Sequence, residues 1–181
     1  SNEALDSLRS DVELNEIYPV LQADLGPHLD KISTMSDYIV NTAWNLLNGQ
    51  GYAMDRYQTY FSEIWCQEHH KYSSMEYHVH HNQSYISGFY ILEAPEDCNQ
   101  IVLYDPRPAK VQMNFGFNAS EEITNSLDNI FFKPKEGLLY FINSWMPHSF
   151  TRNASDHPFV FIHFNIGLID YYPPPPPAEV I

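Results

Sequence analysis

"EYHVHHNQSYISGF", Glu76–Phe89, places three histidines, His78, His80 and His81, directly ahead of an apolar run. In an extended strand, residues two apart project from the same face, roughly 6–7 Å from each other along the chain. His78 and His80 are therefore expected to converge, with Val79 and His81 on the opposite face. Neutral imidazoles suit divalent iron, zinc, copper or nickel, and two from one strand need a third ligand from a neighbouring strand. The candidate is His148 in "GLLYFINSWMPHSF", Gly137–Phe150. It follows an apolar strand and a Trp-Met-Pro turn, which puts it at the start of a strand on a barrel rim. H-x-H alone is a weak signal, since histidines in tyrosine-rich strands are more often structural. The pair together with a later Pro-His in an all-β chain points to a metal.

Working outward, short runs rich in aromatic and β-branched residues separated by turn residues read as antiparallel β structure. The candidates are 60–68, 75–80, 87–93, 101–104, 111–115, 129–132, 137–142, 148–152 and 159–167. Turn chemistry falls between them at Pro95-Glu96-Asp97, Asp105-Pro106-Arg107-Pro108, Lys133-Pro134-Lys135-Glu136-Gly137 and Asn153-Ala154-Ser155-Asp156. Strands so short and so evenly spaced predict a sandwich or barrel rather than a parallel sheet.

Before this region the spacing is helical. Leu8, Val12, Leu14 and Ile17 are apolar among acids, and Ile32, Met35, Ile39, Ala43, Leu46 and Leu47 recur at threes and fours. Three segments follow: residues 1–50, helices packing on the barrel; residues 51–170, the β domain; and residues 171–181, whose Pro173–Pro177 run is an extended polyproline II spacer or a docking motif for a partner.

The bulk properties exclude some functions. A formal charge of −14 over 181 residues, with few and scattered lysines and arginines, disfavours nucleic acid and anionic membrane as partners. No apolar stretch approaches a membrane span, and the N-terminus carries no signal pattern, so a cytoplasmic location is expected. Cys66 and Cys98 form no framework and are expected as free thiols. The sequons at Asn82, Asn118 and Asn153 read as chance matches.

At this point the residues carry a resemblance. "HVHHNQSYISGFYILEAP", "LYDPRP", "FKPKEGLLYFINSWMPHSF" and "FIHFNIG" follow one another as in the small 2-oxoglutarate and iron(II) dependent oxygenases common in marine phages and bacteria. The likeness runs from about Trp65 to Gly167. It implies a mainly β fold, a double-stranded β-helix (jelly-roll) barrel with flanking N-terminal helices, and Fe(II) held at its mouth by His78, His80 and His148. It also implies 2-oxoglutarate as cosubstrate, a small-molecule or protein side-chain substrate, and, for a phage-encoded member, the host cytoplasm.

Departures from the family pattern define the questions for the structure. An acidic residue is usual where His80 stands, so the site is a three-histidine one unless Asn82 or a remote carboxylate such as Asp105 takes a position. His81 replaces a proline in a loop one residue longer, which leaves His80 with Asn82 as an alternative register. The family pairs the far carboxylate of 2-oxoglutarate with an arginine or lysine on the last strand, because a buried carboxylate needs a fork of donors. Here Phe159 holds that position, and His163, Arg152 and Arg107 are the candidate substitutes. Two other readings follow from the same residues: a cupin-type metalloprotein that does not use 2-oxoglutarate, and a non-catalytic jelly-roll binding module.

Overall fold

In Phe159–Asp170 the first nine of the twelve residues are buried, because the strand lies between two apolar layers. Phe159 and Phe161 pack with Phe89, Ile91, Ile101 and Phe150 inside the barrel. Their neighbours Ile162, Phe164 and Ile166 face the other way, against Ile39, Ala43 and Leu47 of a helix. The computed structural model in which these layers are seen describes residues 14–81, 83–113 and 122–171. Leu8, Val12, Asn82, the sequon at Asn118 and the Pro173–Pro177 run lie outside the described residues.

The strands are β1 (Val20–Asp24), β2 (Tyr57–His69), β3 (Met75–His78), β4 (Ile86–Glu93), β5 (Ile101–Tyr104), β6 (Asn129–Phe132), β7 (Leu139–Asn143), β8 (His148–Phe150) and β9 (Phe159–Asp170). They form a five-stranded sheet, β1-β2-β9-β4-β7, and a four-stranded sheet, β3-β8-β5-β6, with antiparallel pairing throughout. The sheets face each other as the two walls of a double-stranded β-helix. Helix α1 (Ser33–Gly49) covers the outer face of the larger sheet through Ile39, Ala43 and Leu47, one helical turn apart. It is tied to the sheet edge where Trp44 Nε1–H donates to the Tyr57 carbonyl and the Thr59 hydroxyl to the Val40 carbonyl. No helix among the described residues is long and apolar enough to cross a membrane.

Three expectations are corrected. The N-terminal region contributes one α-helix among the described residues, preceded by a strand: Val20–Asp24 pairs with Trp65–His69. Its ladder satisfies backbone groups that would otherwise stay open along β2, a tertiary gain that a five-residue window cannot show. The run expected as a strand at 111–115 begins instead in a 3-10 turn, Pro108–Gln112, whose opening proline has no ladder donor to give. Its last two residues are outside the described ones. Finally, β3 ends at His78, so His80 belongs to the connection that follows and is held there by its N–H donating to the Ser144 carbonyl at 2.9 Å.

Cys66 is buried and Cys98 half-buried, and neither is in a disulfide among the described residues. Asn153 is wholly buried with its amide donating to the His69 carbonyl, so that sequon offers no accessible nitrogen. Gly88 in β4 is fixed by packing: a Cβ there would overlap the Phe164 ring and the Tyr140 carbonyl oxygen, the latter unable to move without breaking the β4–β7 ladder. Gly88→Ala is expected to cost about 3 kcal/mol and lower Tm by roughly 6–12 °C. A thermal melt within 2 °C of wild type would show that the sheet relaxes there.

Candidate metal centre

Above the phenylalanine layer the barrel interior turns polar. His78 of β3 and His148 of β8 are direct cross-strand partners, with ring centroids 4.3 Å apart. His80 reaches the same point from the connection after β3, its Nε2 3.3 Å from the His148 Nε2. The turn that carries Ser144, which holds the His80 backbone, also leads into His148, so one local structure sets two of the three imidazoles. Ligand atoms of His78, His80 and His148 all lie within 4.8 Å of one another. Asp105, the carboxylate alternative, is instead gripped by Arg107 through paired bonds of 2.6 and 2.9 Å and by Lys110 at 3.3 Å. The Arg107 guanidinium holds its carboxyl well below the usual range.

Tautomers follow from the bonds. His148 Nδ1–H donates to the Met146 carbonyl at 2.9 Å and His78 Nδ1–H to the Glu76 carbonyl at 2.7 Å, which turns both Nε2 lone pairs toward the shared point. Burial lowers His148 to about 4 and His80, with the neighbouring histidines adding repulsion, to about 3. Each is therefore neutral at pH 7, the form that binds metal. Two nitrogens on one ion at about 2.1 Å stand about 3.0 Å apart at a right angle and about 3.4 Å at the tetrahedral angle. The 3.3 Å between His80 and His148 falls between these, so the donor set fits a first-row divalent ion.

β9 supplies a fourth imidazole. His163 is 3% exposed, with its Nε2 3.2 Å from the His80 Nε2 and its ring stacked on Trp65 at 4.3 Å. Beside it, Asn165 is clamped in one orientation: it accepts from the Ser87 hydroxyl at 2.7 Å and donates to Glu63 Oε2 at 2.7 Å. Ser87 and Ser144 hydroxyls are 2.8 Å apart. Ser87 and Ser144 fall within the segments that carry the family resemblance, whereas Trp65 and Glu63 belong to no motif. Only the register of β2 against β9, which sets Glu63 opposite Asn165 and Trp65 opposite His163, could have pointed to those two.

The cosubstrate candidates separate. His163 lies at the centre, whereas Arg107 is bound to Asp105 at the surface and Arg152 is exposed beyond the end of β8. Phe159 is fully buried in the apolar layer, near Phe150 and Phe161. No lysine or arginine among the described residues is buried. The described residues thus fit the metal but include no buried cation to pair with the far carboxylate of 2-oxoglutarate.

Two clefts share the exposed Trp145. The larger, about 690 Å³, runs past Leu103, Tyr104, Arg107 and Ile123 and contains no histidine. The smaller, about 500 Å³, is walled by Tyr52, Met54, Tyr57 and Tyr85 and opens onto His80. Of the two clefts, the smaller one leads to the histidine cluster.

A double-stranded β-helix with clustered neutral histidines at its mouth defines a class, the barrel metalloproteins that include oxygenases and cupins. The chain matches the model of the family described as "Putative 2OG-Fe(II) oxygenase" over residues 63–165, more than half its length, and belongs to that family. Fe(II) and 2-oxoglutarate are the cofactors of this family. No curated protein matches the chain. Solved structures with the same fold include a prolyl-4-hydroxylase of Pseudomonas putida, with TM-score 0.58, 11% identity, and coverage of 92% of this chain and 82% of that one. Others are a 2OG-Fe(II) oxygenase family oxidoreductase of Burkholderia pseudomallei (0.56, 11%, 90% and 75%) and HygX of Streptomyces hygroscopicus with nickel and 2-oxoglutarate bound (0.50, 13%, 91% and 77%).

Proposed function

We propose that the protein is an Fe(II)- and 2-oxoglutarate-dependent dioxygenase that hydroxylates a neutral, largely apolar substrate, with His78, His80 and His148 as the metal ligands. The observation that carries this reading is the convergence of those three imidazoles at the mouth of a barrel of this family. When bound, such an iron centre supplies two-electron oxidation of a C–H bond by O2. The chain's own residues orient the ligands, through the Met146 and Glu76 carbonyls, and keep water from the iron's inner side with Phe89 and Trp65. The substrate class is inferred from the cleft at His80, whose walls are tyrosine, tryptophan, leucine and methionine without a charged side chain. Neutrality of the lining disfavours an ionic substrate, since a charge would be desolvated there without a partner.

The test is anaerobic reconstitution with Fe(II), then addition of 2-oxoglutarate and O2 with succinate measured. Iron-dependent succinate release is expected. A protein that binds iron yet releases no succinate would support a second reading, a cupin-type metalloprotein that does not use 2-oxoglutarate, which the absence of a buried lysine or arginine among the described residues favours. A protein that binds no iron, nickel or zinc would sink both and leave a binding module.

A further inference from the structure

Asn165 lies at the centre of a polar cluster to which the ligand assignment gives no role. It is 1% exposed on β9, directly across the ladder from Glu63 of β2 and Ser87 of β4. Its Oδ1 accepts from the Ser87 hydroxyl at 2.7 Å, and its Nδ2 faces both Glu63 Oε2, at 2.7 Å, and His80 Nδ1, at 3.4 Å. His80 depends on such contacts, because it stands in a connection rather than in a strand. Its backbone N–H already goes to Ser144, whose hydroxyl meets Ser87, so one network reaches His80 at both its main chain and its ring.

The two ends of this chain of contacts fix the direction of every bond in it. A carboxylate only accepts, so the amide atom facing Glu63 is the nitrogen, and its second N–H points to His80 Nδ1. A backbone carbonyl only accepts, so His148 carries its proton on Nδ1, toward Met146, and offers a lone pair at Nε2. Between these, a neutral His80 has one arrangement that satisfies both neighbours. Its Nδ1 accepts from Asn165, and its Nε2–H donates to the His148 Nε2 at 3.3 Å, with the His163 Nε2 at 3.2 Å beside it. That arrangement puts the proton on the nitrogen that metal ligation needs bare. A neutral His80 ligating through Nε2 must carry its proton on Nδ1, where it meets the Asn165 N–H head-on.

We propose that Asn165 is a positioning residue whose amide turns over when His80 takes up metal, so that its Oδ1 accepts from His80 Nδ1–H; this rests on the three-histidine reading above. The proton passes from one ring nitrogen to the other and none is lost. The surroundings permit the turn. Ser87 can accept from Nδ2 as readily as it donates to Oδ1, passing its own proton to Ser144. Glu63 is exposed, so its carboxylate can leave the turned oxygen for water. The centre keeps its three protein ligands, and its remaining positions stay open to exogenous ones.

The test uses Zn(II) alone and reads the His80 ring by nitrogen-15 nuclear magnetic resonance. The chelated wild type should carry the proton on Nε2. Zn(II) should move it to Nδ1 and replace the Overhauser contact between the Asn165 amide protons and the His80 ring by one to the Ser87 side chain. Glu63→Gln combined with Asn165→Asp exchanges carboxylate and amide at nearly constant volume and charge. It should hold the proton on Nδ1 even when chelated and bind Zn(II) about 10-fold more tightly, whereas Asn165→Leu should bind about 10–100-fold more weakly. Nδ1–H in the chelated wild type, an amide contact unmoved by Zn(II), or Nε2–H retained in the double variant would overturn the role of Asn165 while leaving the triad standing. A wild type that binds no Zn(II) would overturn the triad, and the turn of the amide with it.

Discussion

His148→Ala is expected to weaken divalent-metal binding by more than about 100-fold and to abolish iron-dependent succinate release. His148 is the most constrained of the clustered imidazoles. It is fully buried, its Nδ1–H is committed to the Met146 carbonyl, and its backbone is fixed in β8 between Leu103 and His78. Removing it takes a preset lone pair from the centre and leaves the His80 Nε2 without the nitrogen it faces at 3.3 Å. A thermal melt gives a second readout, because a ligand that binds only the folded state at 100 times its Kd stabilises by about 2.7 kcal/mol. The wild type should therefore gain Tm on Ni(II) addition and lose it with a chelator, whereas His148→Ala should respond to neither. Full metal occupancy in His148→Ala would show that the third ligand lies elsewhere.

The second large effect is acid lability of the metal-free protein, and His69 is its sharpest test. This ring is fully buried, edge-on to Phe150, Phe159 and Phe161, with both nitrogens unpartnered among the described residues. Burial, reinforced by His70, lowers it from 6.5 to about 4. The folded state therefore keeps the ring neutral down to pH 4, while the unfolded chain takes up a proton below 6.5. Stability is complete above pH 6.5 and falls by about 1.4 kcal/mol per pH unit from there to pH 4, about 3 kcal/mol for this ring alone. His80, His148 and His163, lowered by the same burial, steepen the loss in the same direction. His69→Leu should remove about 3 kcal/mol of the difference in unfolding free energy between pH 7 and pH 4, measured by urea titration with metal chelated. Parallel pH curves for variant and wild type would show that His69 is hydrated in the folded protein.

Much of the barrel was legible because short runs of aromatic and β-branched residues are bounded by turn residues. The strands at 101–104 and 129–132 lie where the pattern places them, and β4, β7, β8 and β9 differ only at their ends. Val20–Asp24 was not legible, since its strand character comes from the edge of β2 that it closes. At the turn Pro108–Gln112, Lys110 likewise reaches beyond its own segment, its ammonium donating to the Leu127 carbonyl and the Asp128 carboxylate, partners 17 and 18 residues along the chain.

For the site, the sequence by itself determined which imidazoles were available, and the family resemblance made Phe159 the expected counterpart of a cation. Residue type and order suffice for that. It could not decide that His80 lies beyond the end of β3, that Arg107 is spent on Asp105, or that His163 meets His80 across the barrel. Those facts belong to register between strands far apart in sequence. A strand's neighbours across the sheet are chosen by packing of the whole barrel, so only the tertiary structure sets His163 against His80.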